Sequence, residues 1–242
     1  MKLIEGDCLE KMKDLSANSV DIVIADLPYA RFKHLEWDKA IDLARMWKEL
    51  NRICKPTTPI FLFGDMKFGV QLINSNPKDF KYEIVWNKKK STTPLLSKKR
   101  LGKATEYVFI FYKKQPFYNY AEYHKKNKRA KIYKNGSFVG AIPIKKQTHY
   151  YSPSLPINII ECSKGIRKHK IIKHITEKPQ QVLEFIIKYF SKKGDVCLDF
   201  CMGSGSCGVA CNTLGRKFIG IEKNSEHFKA AKNRLIATCV DV

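Results

Sequence analysis

The chain has 242 residues and 44% hydrophobic content, enough for one large α/β domain or for a domain carrying an insert. No run approaches the length of a membrane span, and the N-terminus lacks the apolar stretch of a signal peptide, so the expectation is a soluble, intracellular (cytoplasmic) protein. The formal charge is +22, and residues 81–173 hold 23 Lys and Arg against four Glu and no Asp, a net +19 that leaves +3 for everything else.

In chain order, residues 2–5 suit a short strand before Gly6-Asp7, and residues 8–15 carry apolar positions at helical spacing (Cys8, Leu9, Met12, Leu15). Asn18-Ser19 marks a turn. Residues 21–25 are a short, β-branched run that predicts a buried strand, closed by Asp26-Leu27-Pro28-Tyr29. Leu27 precedes a proline and is pushed out of the helical region, so the strand ends in a stiff turn. That turn holds the Asp26 carboxylate, the Leu27 carbonyl and the Tyr29 ring at the carboxyl end of a strand, where open α/β sheets bind ligands. The same residues also suit an ordinary Asp-Pro turn.

Residues 39–53 predict a helix, residues 60–63 a buried strand, and Gly64-Asp65 the start of a helix toward Ile73. Two further strands are predicted over 82–86 and 107–112. From 113 to 173 the chain is rich in Lys, Tyr, Asn and Pro with weak periodicity, and reads as an irregular recognition region dividing a first half (1–112) from a second (174–242). In that second half the pattern predicts a helix over 180–190, a strand over 196–198, a glycine loop over 199–205, a helix over 206–214, a strand over 218–221 and a last helix over 225–236. Strands alternating with helices on both sides of the basic segment imply a parallel-rich α/β sheet.

A segment as basic as 81–173 repels itself unless it meets a polyanion, which makes nucleic acid the leading partner, with a solvated basic face or acidic lipid as the other readings. Tyr112, Phe117, Tyr118, Tyr120, Tyr123, Tyr133, Tyr150 and Tyr151 interleave with the lysines and could stack on bases. Lys88, Lys89 and Lys90, Lys98, Lys99 and Arg100, and Lys125, Lys126, Lys128 and Arg129 are the candidate phosphate contacts. The eight cysteines form no CxxC pair; Cys197, Cys201, Cys207 and Cys211 are dense but lack zinc-like spacing, so buried thiols are expected and no metal site.

The loop Asp199-Phe-Cys-Met-Gly203-Ser-Gly205, running on to Gly208, satisfies G-x-G-x-x-G between a strand and a helix. Backbone N–H groups at such a helix start can approach a ligand closely. Glu222, at the end of the next strand, can accept both hydrogen bonds of a ribose diol, which points to an adenosine-containing cofactor. Only about 35 residues follow the loop, so the sheet must be completed by strands from earlier in the chain, with the Asp26 strand the obvious neighbour. No P-loop motif is present.

Together these motifs resemble the β-type amino-methyltransferases of DNA, in which D-P-P-Y comes first, a target-recognition region follows and the glycine loop comes last. Gly6-Asp7-Cys8-Leu9 is similar to the family's G-D-x-L, Trp37-Asp38 to its adenine-modifying members, and His174-Ile-Thr-Glu-Lys178-Pro179 to H-P-T-Q-K-P. The resemblance covers most of the chain outside about residues 115–170. Leu27 replaces the first proline of D-P-P-Y, and Phe200-Cys201 replaces the Pro-Phe of the usual glycine loop. The resemblance implies a circularly permuted Rossmann-like methyltransferase sheet, mostly parallel with one antiparallel strand, and a basic target-recognition insert. It implies methyl transfer from S-adenosyl-L-methionine to adenine N6 in DNA within restriction-modification.

On that reading Asp26 and the Leu27 carbonyl grip the amino group, Pro28 stiffens the turn and Tyr29 stacks on the flipped base. Asp199 orients the cofactor's amino group, Gly203 and Gly205 admit its methionine portion, and Glu222 takes the ribose. Asp7 lies near the adenine, Thr176 and Lys178 reach the carboxylate, and Cys201 takes the place of an aromatic contact. A second copy of the chain and a cognate restriction endonuclease are further partners that the resemblance alone suggests. The alternatives are N4-cytosine methylation, a nucleic-acid-binding protein without catalysis and, from the glycine motif alone, a nicotinamide-dependent oxidoreductase.

Overall fold

A computed structural model describes residues 1–29, 40–96, 98–120, 157–163 and 177–239. The chain forms two compact units, Met1–Tyr118 with Asn158–Val242, and Asn119–Ile157. The first contains the sheet and is described below.

Among the described residues, short β-branched and aromatic runs make eight strands: β1 (Lys2–Glu5), β2 (Ile22–Asp26), β3 (Ile60–Gly64), β4 (Phe80–Asn87), β5 (Thr105–Phe111), β6 (Ile159–Glu161), β7 (Val196–Asp199) and β8 (Lys217–Glu222). They form one sheet in the order β1-β8-β7-β2-β3-β5-β4-β6. The pairs along β1, β8, β7, β2 and β3 are parallel, and β5 alone runs against its neighbours β3 and β4. The permuted sheet with one antiparallel strand is therefore present, with the late strands β7 and β8 seated between β1 and β2.

Alternation along the strands divides the core into two layers. Ile22 and Ile24 of β2 and Phe61 and Phe63 of β3 face one layer, under α4 (Gln180–Phe190), α5 (Ser206–Leu214) and α6 (Ser225–Cys239). Val23, Ala25, Ile60 and Leu62 face the other, under α1 (Cys8–Lys11), α2 (Leu43–Ile53) and α3 (Met66–Ser75). A strand buried on both faces needs apolar residues throughout, which is why β2 and β3 read as continuous hydrophobic runs. Helix starts follow their caps: Asp42 Oδ1 accepts from Arg45 N (3.0 Å), and Asp65 Oδ1 from Phe68 N (2.8 Å).

Several expectations shift. The 8–15 segment is one α-turn followed by a 3₁₀ turn (Met12–Asp14), with Leu9, Met12 and Leu15 buried in the second core layer. The helix expected from 39 begins at Leu43, behind its Asp42 cap, and the last helix runs on to Cys239. Within the stretch read as irregular, Ile159–Glu161 pairs with Val85, Trp86 and Asn87 as the edge strand β6. Three residues are too few for a period-2 signal to show in the sequence. Tyr118, read as a base-stacking ring, instead packs on Phe190 (5.2 Å between centroids), and Tyr112 leans on the same core layer. Among the described residues no helix is long and apolar enough to cross a membrane.

From β7 the chain winds through α5 to β8 on one side; from β2 it winds through α2 to β3 on the other. The adjacent strands β7 and β2 therefore form a topological switch point, and a crevice opens beyond their carboxyl ends. Asp199 ends β7 and Asp26 ends β2.

Candidate active site

A cavity of about 990 Å³ occupies that crevice, lined among others by Asp7, Asp26, Leu27, Pro28, Tyr29, Lys88, Glu106, Lys178, Asp199, Cys201, Gly203 and Glu222. It reaches the upper end of the size range for ligand pockets.

One wall is built from β7, the glycine loop and β8. Gly203 and Gly205 both adopt positive φ (49° and 74°), so the loop turns where a side chain would be strained. Gly205 lies outside the cavity lining: a Cβ there would sit 3.3 Å from Ala231 and 3.2 Å from Leu235, so its missing side chain serves the approach of α6. Gly203 N donates to Glu222 Oε2 (2.9 Å), while Glu222 Oε1 accepts from Asn224 N (2.8 Å). Cys201 is half-buried at the lining, and its N–H donates to Asp199 Oδ1 (3.1 Å). Asp199 is buried. Desolvation, with Asp26 and Glu222 nearby, pushes its carboxyl well above the ordinary range despite the Cys201 N–H. Asp7 caps α1 through Leu9 N (3.0 Å) and meets Lys223 Nζ at 3.2 Å. Asp199 thus stands in the cavity with the carboxyl groups of Asp26 and Glu222 near it, an arrangement suited to a cationic guest.

The opposite wall is a chain of alternating charges that the sequence reading did not assemble. Asp26 Oδ1 accepts from the Tyr29 hydroxyl (2.7 Å), and Asp26 Oδ2 lies 2.7 Å from Lys178 Nζ. Lys178 also meets Glu106 Oε1 at 2.7 Å, and Glu106 Oε2 meets Lys88 Nζ at 2.6 Å. These partners are well covered, with Lys178 and Lys88 side chains 11% exposed and Glu106 13%. Aromatic faces floor the chain: Lys178 Nζ is 5.1 Å from the Phe63 centroid and Lys88 Nζ 4.7 Å from that of Trp86. Burial alone would lower the Lys178 ammonium, but Asp26 and Glu106 outweigh it and the net shift is upward. Burial likewise raises Glu106, yet Lys178 and Lys88 bring it down to about 2.

Local chemistry places Lys178 there. Glu177 Oε1 takes the Ser206 hydroxyl (2.9 Å) and pairs with Arg234 (2.7 Å), and Pro179 turns the chain into α4. Leu27, the departure from D-P-P-Y, is 3% exposed and locked into the second core layer, so a buried side chain anchors the turn where the family has a ring. Tyr29 lies against Phe68, with centroids 5.0 Å apart.

The structure thus brings Asp7, the Asp26–Tyr29 turn, Lys178, Asp199, Cys201, Gly203 and Glu222 to one cavity. Two lysines are corrected in their surroundings. Lys88, read as a phosphate contact, is turned inward onto Glu106, and Lys178, read as a cofactor-carboxylate contact, is engaged by Asp26 and Glu106. Lys89, Lys90, Lys98, Lys99 and Arg100 are exposed, with Lys89 Nζ 3.6 Å from Glu161. Thr176, Trp37, Asp38, Lys125, Lys126, Lys128 and Arg129 lie outside the described residues. Glu106 was missed, although it is the sole acid between Glu83 and Glu122 and stands directly before the buried run of β5. A lone carboxylate in so basic a stretch is a signal that could have found it. Cys197, Cys207 and Cys211 place their thiols within 4.8 Å of one another inside the core behind the glycine loop, where small buried thiols pack as hydrophobes.

Comparison with known proteins gives the same picture. The family model for DNA methylase (N6_N4_Mtase) matches residues 20–233. The DNA adenine methyltransferase YhdJ of Escherichia coli K12 is 30% identical over 249 residues, covering 96% of this chain and 82% of its own length. The type II methyltransferase M.HinfI of Haemophilus influenzae is 28% identical over 259 residues, covering 96% of this chain and 67% of its own. Among solved structures, the M1.HpyAVI–SAM complex superposes with a TM-score of 0.65 at 26% identity, covering 97% and 98% of the two chains. The cytosine-N4-specific PvuII methyltransferase reaches 0.71 at 16% identity, over 98% of this chain and 90% of its own, a likeness of fold. With a family match across nearly the whole chain and a sheet of the same design, this chain belongs to the DNA methylase family.

Proposed function

We propose that the protein transfers a methyl group from S-adenosylmethionine to the exocyclic N6 of adenine in DNA. The observation that carries this is the position of Asp26: it ends β2 at the switch point, in one cavity with the buried Asp199 and with Glu222. The donor set fits the cofactor, because a cavity in which the carboxyl groups of Asp26 and Glu222 stand near the buried Asp199 suits a molecule that carries an ammonium and a sulfonium. When bound, S-adenosylmethionine supplies an electrophilic methyl group.

Asp199 holds the cofactor's ammonium, Glu222 accepts its ribose hydroxyls, and Asp7 and Cys201 border the adenine side. Asp26 and the Leu27 carbonyl accept the two N6–H bonds of the target amine. An aromatic amine is a poor nucleophile because its lone pair is delocalised into the ring. Two fixed acceptors favour the pyramidal form it must reach, which is electrostatic preorganisation together with in-line placement. Both Asp26 oxygens already carry partners, Tyr29 and Lys178, so the incoming amine takes the place of the Tyr29 hydroxyl while Lys178 holds the other oxygen still. Tyr29, beside Asp26 in the cavity lining, stacks on the extruded base. The proton leaves after transfer, so no strong base is needed.

The test is tritiated methyl transfer to DNA, followed by hydrolysis and identification of the labelled base. Asp26→Ala is expected to lower transfer roughly 1,000-fold while cofactor binding, read by calorimetry, survives. Full activity in that variant would sink the mechanism; label on cytosine would move the target to N4. Self-association and a cognate endonuclease are proposed on family grounds alone, and sedimentation of the purified chain tests the first.

A further inference from the structure

Between β4 and β5 the chain makes an excursion over residues 88–104 that the mechanism above does not use. Its neck is tied: Lys88 N donates to Ala104 O (2.8 Å), Thr92 N to Lys103 O (2.7 Å) and Lys103 N to Thr93 Oγ1 (3.1 Å). Its tip is ordered around a 3₁₀ turn, Pro94–Leu96, whose Leu96 carbonyl accepts from Lys99 N (2.9 Å) and Arg100 N (3.0 Å). On this tip Leu95 is 96% exposed and Leu101 95%, far beyond any other large hydrophobic residue described. A single exposed leucine needs no explanation. Here two flank the exposed Lys98, Lys99 and Arg100, on a stretch with no Asp or Glu from residue 84 to 105. The loop is rooted at the cavity, since Lys88 and Thr92 line it.

We infer that this tip is a wedge that enters duplex DNA beside the target base. The inference rests on the DNA-methylation reading. A base paired in a duplex cannot reach Asp26 and must be extruded, at a cost in stacking and pairing. Apolar side chains inserted between base steps fill the space that extrusion leaves, with neighbouring cations on the phosphates. Leu95 and Leu101 have that character, and Lys98, Lys99 and Arg100 supply the charge. A second copy of the chain fits the tip less well, because a two-fold contact through it sets the same three cations against each other.

The test is Leu95→Ala combined with Leu101→Ala; at such exposure neither change touches the core, and calorimetric cofactor binding checks the fold. The substrates are two oligonucleotides carrying the site first located by detecting modified bases in a plasmid treated with the wild-type enzyme. In one the target adenine is paired; in the other it faces an abasic position. The wedge predicts a fall in kcat/KM of about tenfold or more on the paired duplex and of less than about twofold on the unpaired one. 2-Aminopurine at the target position should lose its fluorescence rise with the variant on paired DNA. Unchanged activity on paired DNA, an equal loss on both substrates, or a change in sedimentation of the DNA-free protein would each overturn the wedge. Absence of methyl transfer to any DNA by the wild type would instead overturn the methylation reading and the wedge with it.

Discussion

The two walls of the cavity are made in different ways. The cofactor wall comes from one continuous stretch, β7 through β8, in which Asp199, Gly203 and Glu222 are separated by a single turn and a single helix. The base-side wall is collected from four distant places, Asp26 on β2, Lys88 after β4, Glu106 on β5 and Lys178 before α4, and it is joined by ion pairs at 2.6–2.7 Å. The first wall is positioned by local backbone geometry. The second is positioned by electrostatics that exist only once the sheet has closed. Perturbing a group in the first should alter binding; perturbing one in the second should alter stability and turnover together.

The largest effect should come from Glu106→Gln, which removes the carboxylate that Lys88 faces and leaves Lys178 paired with Asp26 alone. Breaking such a buried pair is expected to cost on the order of 3 kcal/mol at neutral pH, in line with the depression of the Glu106 carboxyl from 4.5 to about 2. Because its folded value is depressed, this contribution is complete above 4.5 and is lost as the pH falls through about 2. Chemical denaturation of the two proteins should therefore differ at pH 7 and converge toward pH 2; a constant gap would mean that charge is not the cause.

Asp199→Asn tests the other wall. Losing the carboxylate under a cofactor ammonium should weaken cofactor binding by about 100-fold with little change in stability. Since burial raises the wild-type carboxyl, holding a cation there requires it to ionise, so binding should release a proton in a pH range above the ordinary carboxylate value. Calorimetry in buffers of different ionisation enthalpy reads that proton. Identical heats in all buffers would show that Asp199 is ionised beforehand.

Gly208→Ala separates packing from ligand contact within the local wall. A Cβ at Gly208 would lie 2.7 Å from Leu235 and 2.8 Å from the Phe218 ring, so overpacking should cost ~2 kcal/mol in thermal unfolding. Cofactor affinity at low temperature should change little. The smallest effect is expected from Tyr29→Phe, which keeps the ring and removes the hydroxyl tied to Asp26 at 2.7 Å. One hydrogen bond to a carboxylate that Lys178 pairs with, released in the free site, should raise kcat/KM by about tenfold. A large fall would give the hydroxyl a direct part in the reaction.

Much of this protein was legible before folding was considered. The strand and turn ending in Asp26-Leu27-Pro28-Tyr29 follow from β-branched content and a proline. The glycine loop with Glu222 is a strand–loop–helix–strand pattern written within 27 residues, 196–222. Such features depend on backbone conformation and on neighbours a few positions away, which sequence periodicity reports directly. The late position of the loop even required that β7 and β8 join earlier strands, as they do.

What only the tertiary structure decided is the set of charged neighbours around that first turn. In the sequence Lys178 reads as a cofactor contact, Lys88 as one of a run of phosphate contacts and Glu106 as a lone acid at the head of a strand. Their pairing depends on β5 running antiparallel beside β3 and on α4 starting where Glu177 is held by Arg234 and Ser206. Ion pairs between residues 18 (Lys88 and Glu106), 72 (Glu106 and Lys178) and 152 (Asp26 and Lys178) positions apart leave no periodic trace. They are selected by the low-dielectric space between packed elements, and that space does not exist until the sheet is formed.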